Sequence, residues 1–194
     1  MEYVRMEREA QFMAIKGGKG YTTADIEALP EGERAELIDG ELFRMDAPVR
    51  IHQKLLMKLA FEIELYIRKQ KGDCEVYPSP FAVYIKNDDW NYVEPDISVI
   101  SDRDKLDEKG CLGAPDWIIE IASPSSVKMD YERKTALYRE SGVREYWIVD
   151  PDQKTVTVYD FENDAEAVRY PFSERIMVRI YEDFYLLFSE MDII

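Results

Sequence analysis

Two acids stand where acids are costly. In VEPDISVI (Val93–Ile100) Asp96 leads into Ile97, Val99 and Ile100. In WIIEIASPSS (Trp117–Ser126) Glu120 sits among Trp117, Ile118, Ile119 and Ile121. A carboxylate buried without a partner costs several kcal/mol or takes up a proton. Two such acids, 24 residues apart, suggest a shared partner. Two carboxylates on neighbouring strands, completed by water and a phosphate oxygen, form the donor set that Mg²⁺ prefers: hard oxygens, few of them from protein. Such an ion activates a water and stabilises charge building on a phosphoryl group.

The elements that must position these acids follow from periodicity. Ile51, Leu55, Leu56, Leu59, Ile63, Tyr66 and Ile67 recur at helical spacing and predict a long helix closed at Gly72. CEVYPSPFAVYI reads as a strand broken by prolines, and PDISVI as a short strand opening at Pro95, which can donate no ladder hydrogen bond. DWIIEIA is almost uniformly apolar, as expected of a central strand covered on both faces. SSVKMDYERKTALYRESG predicts a second helix, its start capped by serine hydroxyls and its end at Gly142, before a further buried strand, REYWIVD. Upstream, Thr22 or Thr23 caps a short helix, and Asp39-Gly40 marks a hairpin. Beyond Asp150-Pro151, TVTVYDF, AEAVRYPF, RIMVRIY and FYLLF read as an antiparallel meander.

The central order is thus helix, strand, strand, strand, helix, strand. That is an α/β fold, a mixed β-sheet flanked by helices, with β-rich N- and C-terminal extensions. Adjacent strands lie ~4.8 Å apart, so acids at matching heights on the second and third strands converge on one ion. Residues 1–20, ending in KGGKG, read as a flexible N-terminal arm, and 21–194 as one domain.

Composition sets bounds. No run approaches the ~18 apolar residues of a membrane span, no signal-peptide pattern opens the chain, and Cys74 and Cys111 are too few for a disulfide framework. A cytoplasmic protein with two free thiols and no membrane association is expected. The net charge of −15 argues against casual nucleic-acid binding. It is uneven, however: Arg50–Lys71 has six cations against two acids, and Pro124–Arg144 five against three. Both segments are predicted helices, and either a local polyanion site or a solvated face accounts for them. Arg50, Lys54, Lys128 and Arg133 are the cations expected at the rim of a site around Asp96 and Glu120.

Pro95-Asp96 followed by Glu120 in a central strand resembles the PD-(D/E)XK nuclease superfamily, whose shared core has the same element order. More narrowly, ELIDGE (Glu36–Glu41), PDISVI, GAPDWIIEIASPSS, DYERKTALY and GVREYWIVDP are similar to the Uma-type family of bacterial restriction-endonuclease-like proteins. The resemblance runs from about Tyr21 to the C-terminus. It implies a restriction-endonuclease-like core, Mg²⁺ (or Mn²⁺) held by Asp96 and Glu120, DNA as partner, and a homodimer that cuts two strands with two subunits. One position departs. The superfamily places a lysine two residues after the second acid, where this chain has Ala122. Lys134, on the following helix, resembles the place where the family carries its lysine. The plain alternative is a surface lysine pairing with Asp130 at i−4, worth ~0.3 kcal/mol.

Other residues carry weaker signals. His52 is the only histidine, which excludes multi-histidine zinc sites. It opens the basic helix where the family tends to have a histidine, so the resemblance places it near phosphate or metal-bound water; a cap or packing role is the alternative. Glu36 resembles the family's N-terminal acid and is a third candidate carboxylate, against a solvated hairpin acid. Asp116 and Asp150 read as turn residues, Cys111 as a thiol without an assured base, and Trp90, Tyr92 and Trp117 as core or stacking aromatics. Two classes of function follow. One is a metal-dependent endonuclease with catalytic Asp96, Glu120, Lys134, His52 and Glu36. The other is a catalytically inactive interaction or regulatory module of the same fold.

Overall fold

The computed structural model describes residues 20–124 and 126–191. The arm expected over 1–20 lies, but for Gly20, outside them, as does Ser125 of the serine-rich helix start. Helix α1 (Thr23–Glu27) begins after Thr22, whose backbone N–H and hydroxyl both donate to the Asp25 carboxylate. Strands β1 (Ala35–Ile38) and β2 (Glu41–Arg44) form the hairpin predicted at Asp39-Gly40, both residues having positive φ as a tight two-residue turn requires. Helix α2 (Arg50–Gln70) buries Leu55, Leu56, Leu59, Ile63 and Ile67 along one stripe. Its closing left-handed residue is Lys71, at φ 54°, and not Gly72, whose N–H instead donates back to the Ile67 carbonyl.

Strands β3 (Glu75–Pro78), β4 (Val83–Tyr84), β5 (Ile97–Ile100), β6 (Cys111–Leu112) and β7 (Trp117–Ile121) follow. The second predicted helix is then built in three pieces: α3 (Val127–Met129), a π-helical turn (Asp130–Lys134) and α4 (Thr135–Ser141), closed by Gly142 at φ 91°. The chain continues through β8 (Glu145–Asp150), β9 (Thr155–Asp160), β10 (Val168–Pro171), β11 (Ile176–Met177) and β12 (Tyr185–Leu186).

Six strands make one mixed sheet in the order β10-β9-β8-β7-β5-β3, with β7 and β8 parallel and the other neighbours antiparallel. The expected C-terminal meander is only partly present. Strands β9 and β10 extend the central sheet, whereas β11 and β12 pair separately, their Ile176 and Leu186 packing with the α2 side of the core. Strand β7 is buried on both faces, as its apolar run predicted. Trp117, Ile119 and Ile121 pack with α2, while Ile118 packs with Tyr138, Tyr146 and Ile148 beneath the second helix. Full burial of each such side chain contributes about 1.5–3 kcal/mol. Among the described residues no helix is long and apolar enough to cross a membrane, and both cysteines are free.

The hairpin is docked by backbone pairing. Leu37 and Tyr92 exchange hydrogen bonds of 2.7 and 2.8 Å, which places β1 beside the loop leading into β5.

Candidate active site

Alternation along β7 sends Glu120 to the face covered by the second helix, where it is only 5% exposed. Its partners explain how an acid survives there. Glu120 Oε1 accepts the Tyr138 hydroxyl at 2.7 Å and lies 2.9 Å from Lys134 Nζ. The same ammonium lies 2.9 and 2.8 Å from the two oxygens of Glu36 and 3.8 Å from Asp130 Oδ1. Glu36 reaches it from β1, and its Oε1 also accepts the Glu94 backbone N–H at 3.1 Å. Lys134 is therefore no surface lysine: it is buried at the centre of three buried carboxylates.

The π turn supplies part of this geometry. Its widened backbone frees the Asp130 carbonyl to accept hydroxyls from Thr135 at 2.9 Å and Tyr146 at 3.2 Å. The Asp130 side chain accepts Ser126 Oγ at 2.8 Å through Oδ2, while its buried Oδ1 has no hydrogen bond.

Asp96 arrives from the other side. The β5–β7 register pairs Ile97 with Ile119; continued by one residue in an antiparallel ladder, it sets Asp96 opposite Glu120. Asp96 Oδ2 accepts the Ile121 backbone N–H at 2.7 Å and lies 3.0 Å from His52 Nε2, on the first turn of α2. His52 Nδ1 is buried without a hydrogen bond. The structure thus brings Asp96, Glu120, Lys134, His52 and Glu36 to one end of the sheet.

Three carboxylates (Glu36, Glu120, Asp130) here surround one ammonium, with Asp96 near enough to repel Glu120 and Asp130, and the electrostatics follow. Burial, then repulsion from Asp130, Asp96 and Glu36, pushes the Glu120 carboxyl well above its ordinary range despite Lys134. Burial also lifts Asp130 to about 6, against the pull of Lys134 and Ser126. For Lys134, burial alone would lower the pKa; Glu120, Glu36 and Asp130 together outweigh it and raise the ammonium well above its usual value. Lys134 is a permanent cation at neutral pH.

The Ile121 hydrogen bond and the His52 contact to Asp96 both fall on Oδ2, and both hydrogen bonds to Glu120 fall on Oε1. Asp96 Oδ1 and Glu120 Oε2 are outside these bonds. Two carboxylate oxygens and an excess of negative charge suit Mg²⁺, which keeps most of its waters. They do not suit an ion caged by protein. Among the described residues no group of three or more His, Cys, Asp and Glu side chains is arranged to hold a metal.

Several residues legible only as context prove to be part of the cluster. Asp130 and Tyr138, with Lys134, fall at i, i+4 and i+8 on one helix face, a spacing that could have exposed both. Glu94 is buried too, ion-paired with Arg34 and accepting the Tyr92 hydroxyl. Other candidates lie elsewhere. Asp116 accepts Ser101 and Arg144, Asp150 caps the Gln153 amide, and Trp117 is core. Of the expected rim cations, Arg133 is turned to the hairpin, paired with Glu41 and stacked over Phe43. Arg50 and Lys128 are exposed.

The fold is similar to that of the crystal structure of a "putative nuclease" from Anabaena variabilis. The TM-score is 0.71 over 88% of this chain and 96% of that one, at 22% identity. The fold class is that of a restriction-endonuclease-like α/β protein. The chain belongs to the Uma2 family, described as "Putative restriction endonuclease", whose model matches residues 23–186. It is also similar to an uncharacterized protein of Synechocystis sp., 25% identical over 150 residues that make up 76% of this chain and 77% of that one.

Proposed function

We propose that this chain is a Mg²⁺-dependent endonuclease, with Mn²⁺ as a substitute, that hydrolyses phosphodiester bonds of DNA. The observation that carries this reading is Asp96 held on the backbone amide that follows Glu120, with Lys134 on Glu120. Family membership and fold support it. Asp96 and Glu120 would hold the ion through the oxygens that their hydrogen bonds leave over. When bound, Mg²⁺ supplies Lewis-acid polarisation of a phosphoryl oxygen and a more acidic water.

The chain's own residues do the rest. Lys134, fixed as an ammonium, is a donor and not a base, so it orients the attacking water and stabilises charge on the phosphoryl oxygens. Glu36 and Asp130 hold Lys134 in place. His52 and the Ile121 amide fix the Asp96 carboxylate, so its orientation does not depend on the substrate. Tyr138 fixes Glu120 in the same way.

The test is cleavage of supercoiled DNA with Mg²⁺ or Mn²⁺ against a chelator, with Glu120→Gln alongside. Metal-dependent nicking by the parent protein, absent in the variant, is expected. A second reading, a non-catalytic module of the same fold, draws on the −15 charge and on the hydrogen bonds that already engage Lys134 with Glu36 and Glu120. Absence of cleavage under every metal, with acid variants changing only stability, would establish it instead.

A further inference from the structure

The strand register draws a row across the sheet. Glu120 stands opposite Ile148, Ile148 opposite Thr157, and Thr157 opposite Arg169. Directly opposed residues project to the same face. Arg169 therefore shares a face with Glu120, three strand spacings or about 14 Å away. Two observations show that it is held there. Arg169 Nε donates to Thr157 Oγ1 at 3.4 Å, and its guanidinium lies 5.8 Å from the centroid of the Tyr131 ring. The Tyr131 hydroxyl in turn meets the same Thr157 Oγ1 at 2.9 Å. Tyr131 belongs to the π turn that also carries Lys134 to Glu120. One turn of backbone thus serves both places.

Arg169 makes no ion pair among the described residues, and only its Nε is hydrogen-bonded there. Arg34, Arg133 and Arg144, by contrast, are each paired with a carboxylate. In an acidic chain, a guanidinium steadied by a ring and a hydroxyl but not neutralised offers its planar fork to an outside anion. Phosphate is the anion that this geometry matches best. The separation of about 14 Å is also the axial rise of about four nucleotides of one DNA strand.

We propose that Arg169, backed by Tyr131 and Thr157, anchors a backbone phosphate of the DNA strand bound at the Asp96–Glu120 site, about four nucleotides from the bond that is cut. This rests on the nuclease reading above. The competing role is an edge charge: β10 is an outer strand, where a cation discourages pairing between copies. That role predicts an effect on aggregation and none on DNA.

The experiment uses the full chain carrying Glu120→Gln, so that DNA stays intact, with and without Arg169→Gln. Binding of a short duplex is followed by fluorescence anisotropy from about 50 to about 200 mM salt. Arg169→Gln is expected to weaken binding about tenfold at low salt and to flatten the slope of log K against log salt by about 0.9, with the melting temperature unchanged. In the active protein the same substitution should raise KM for the duplex and spare kcat. Turnover of bis-p-nitrophenyl phosphate, too small to reach Arg169, should not change. Unaltered affinity and slope in a parent protein that does bind DNA would overturn the subsite and leave Arg169 an edge charge. A parent protein that binds no DNA at the lowest salt would overturn the nuclease reading, and the subsite with it.

Discussion

Asp96 Oδ2 lies 2.7 Å from the backbone nitrogen of Ile121, so one acid of the site is tied to the peptide that follows the other. The two carboxylates cannot drift apart without breaking a hydrogen bond at the end of the sheet. That linkage fixes a repulsive pair, and repulsion between fixed charges is what a cation relieves.

Mg²⁺ or Mn²⁺ should therefore stabilise the folded chain. At about 100 Kd the gain is about 2.7 kcal/mol, a rise of roughly 5–10 °C for a chain of this size. Asp96→Asn and Glu120→Gln should each abolish the increment, which differential scanning fluorimetry with titrated metal measures directly. A melting temperature indifferent to millimolar metal would mean that these acids serve the fold alone.

Lys134→Met should be costly even without substrate. It leaves Glu36, Glu120 and Asp130 buried and unpaired, and breaking a buried pair in this way costs about 3–5 kcal/mol. The loss should be smaller at pH 5 than at pH 8, since Asp130, with its pKa raised to about 6, is then protonated and carries no charge to strand. Urea unfolding at the two pH values decides this. An equal loss at both would contradict the picture of three acids sharing one ammonium.

His52→Ala should lower the affinity for Mg²⁺ while leaving the carboxylates in place, because residues that orient a ligand typically matter about 10–100-fold. Gln at 52 retains a side-chain N–H donor and should restore part of the affinity. Calorimetric titration of the three proteins with Mn²⁺ tests it. Identical affinity in all three would leave His52 a packing residue.

Glu145 supplies a pH dependence away from the site. Burial raises its carboxyl to about 7, although Trp147 Nε1–H and the amides of Arg179 and Ile180 all donate to it. The folded state then binds the proton more tightly than the unfolded chain does. Stability should fall as pH rises from about 4.5 to about 7, by up to about 3 kcal/mol from this group. Denaturant unfolding across that window should show the slope reduced in Glu145→Gln; an unchanged slope would assign it to other acids.

The site acids were legible because their neighbours are apolar: Glu120 inside WIIEI and Asp96 before ISVI could not be surface residues. Lys134 was legible only by resemblance, and its burial was not legible at all. The reason is the π turn. It is an insertion with no propensity signal of its own, held by hydroxyls of Thr135 and Tyr146 that only the tertiary fold brings to the Asp130 carbonyl. The end of α2 was misplaced by one residue because Lys71 takes the left-handed conformation although a glycine is its neighbour. The last two strands were misassigned to the meander because two-residue strands carry too little alternation to reveal their partners.

Glu36 and Lys134 meet at 2.9 Å from positions 98 residues apart in the chain. Closing so long a loop is entropically slow, and during synthesis Glu36, Asp96 and Glu120 all leave the ribosome before Lys134 does. A nascent or truncated chain therefore holds its acids without their cation. The cluster is complete only when the second helix docks and brings Lys134 to Glu36 and Glu120. Removal of the second helix by limited proteolysis would leave Glu36 and Glu120 without the ammonium that pairs them.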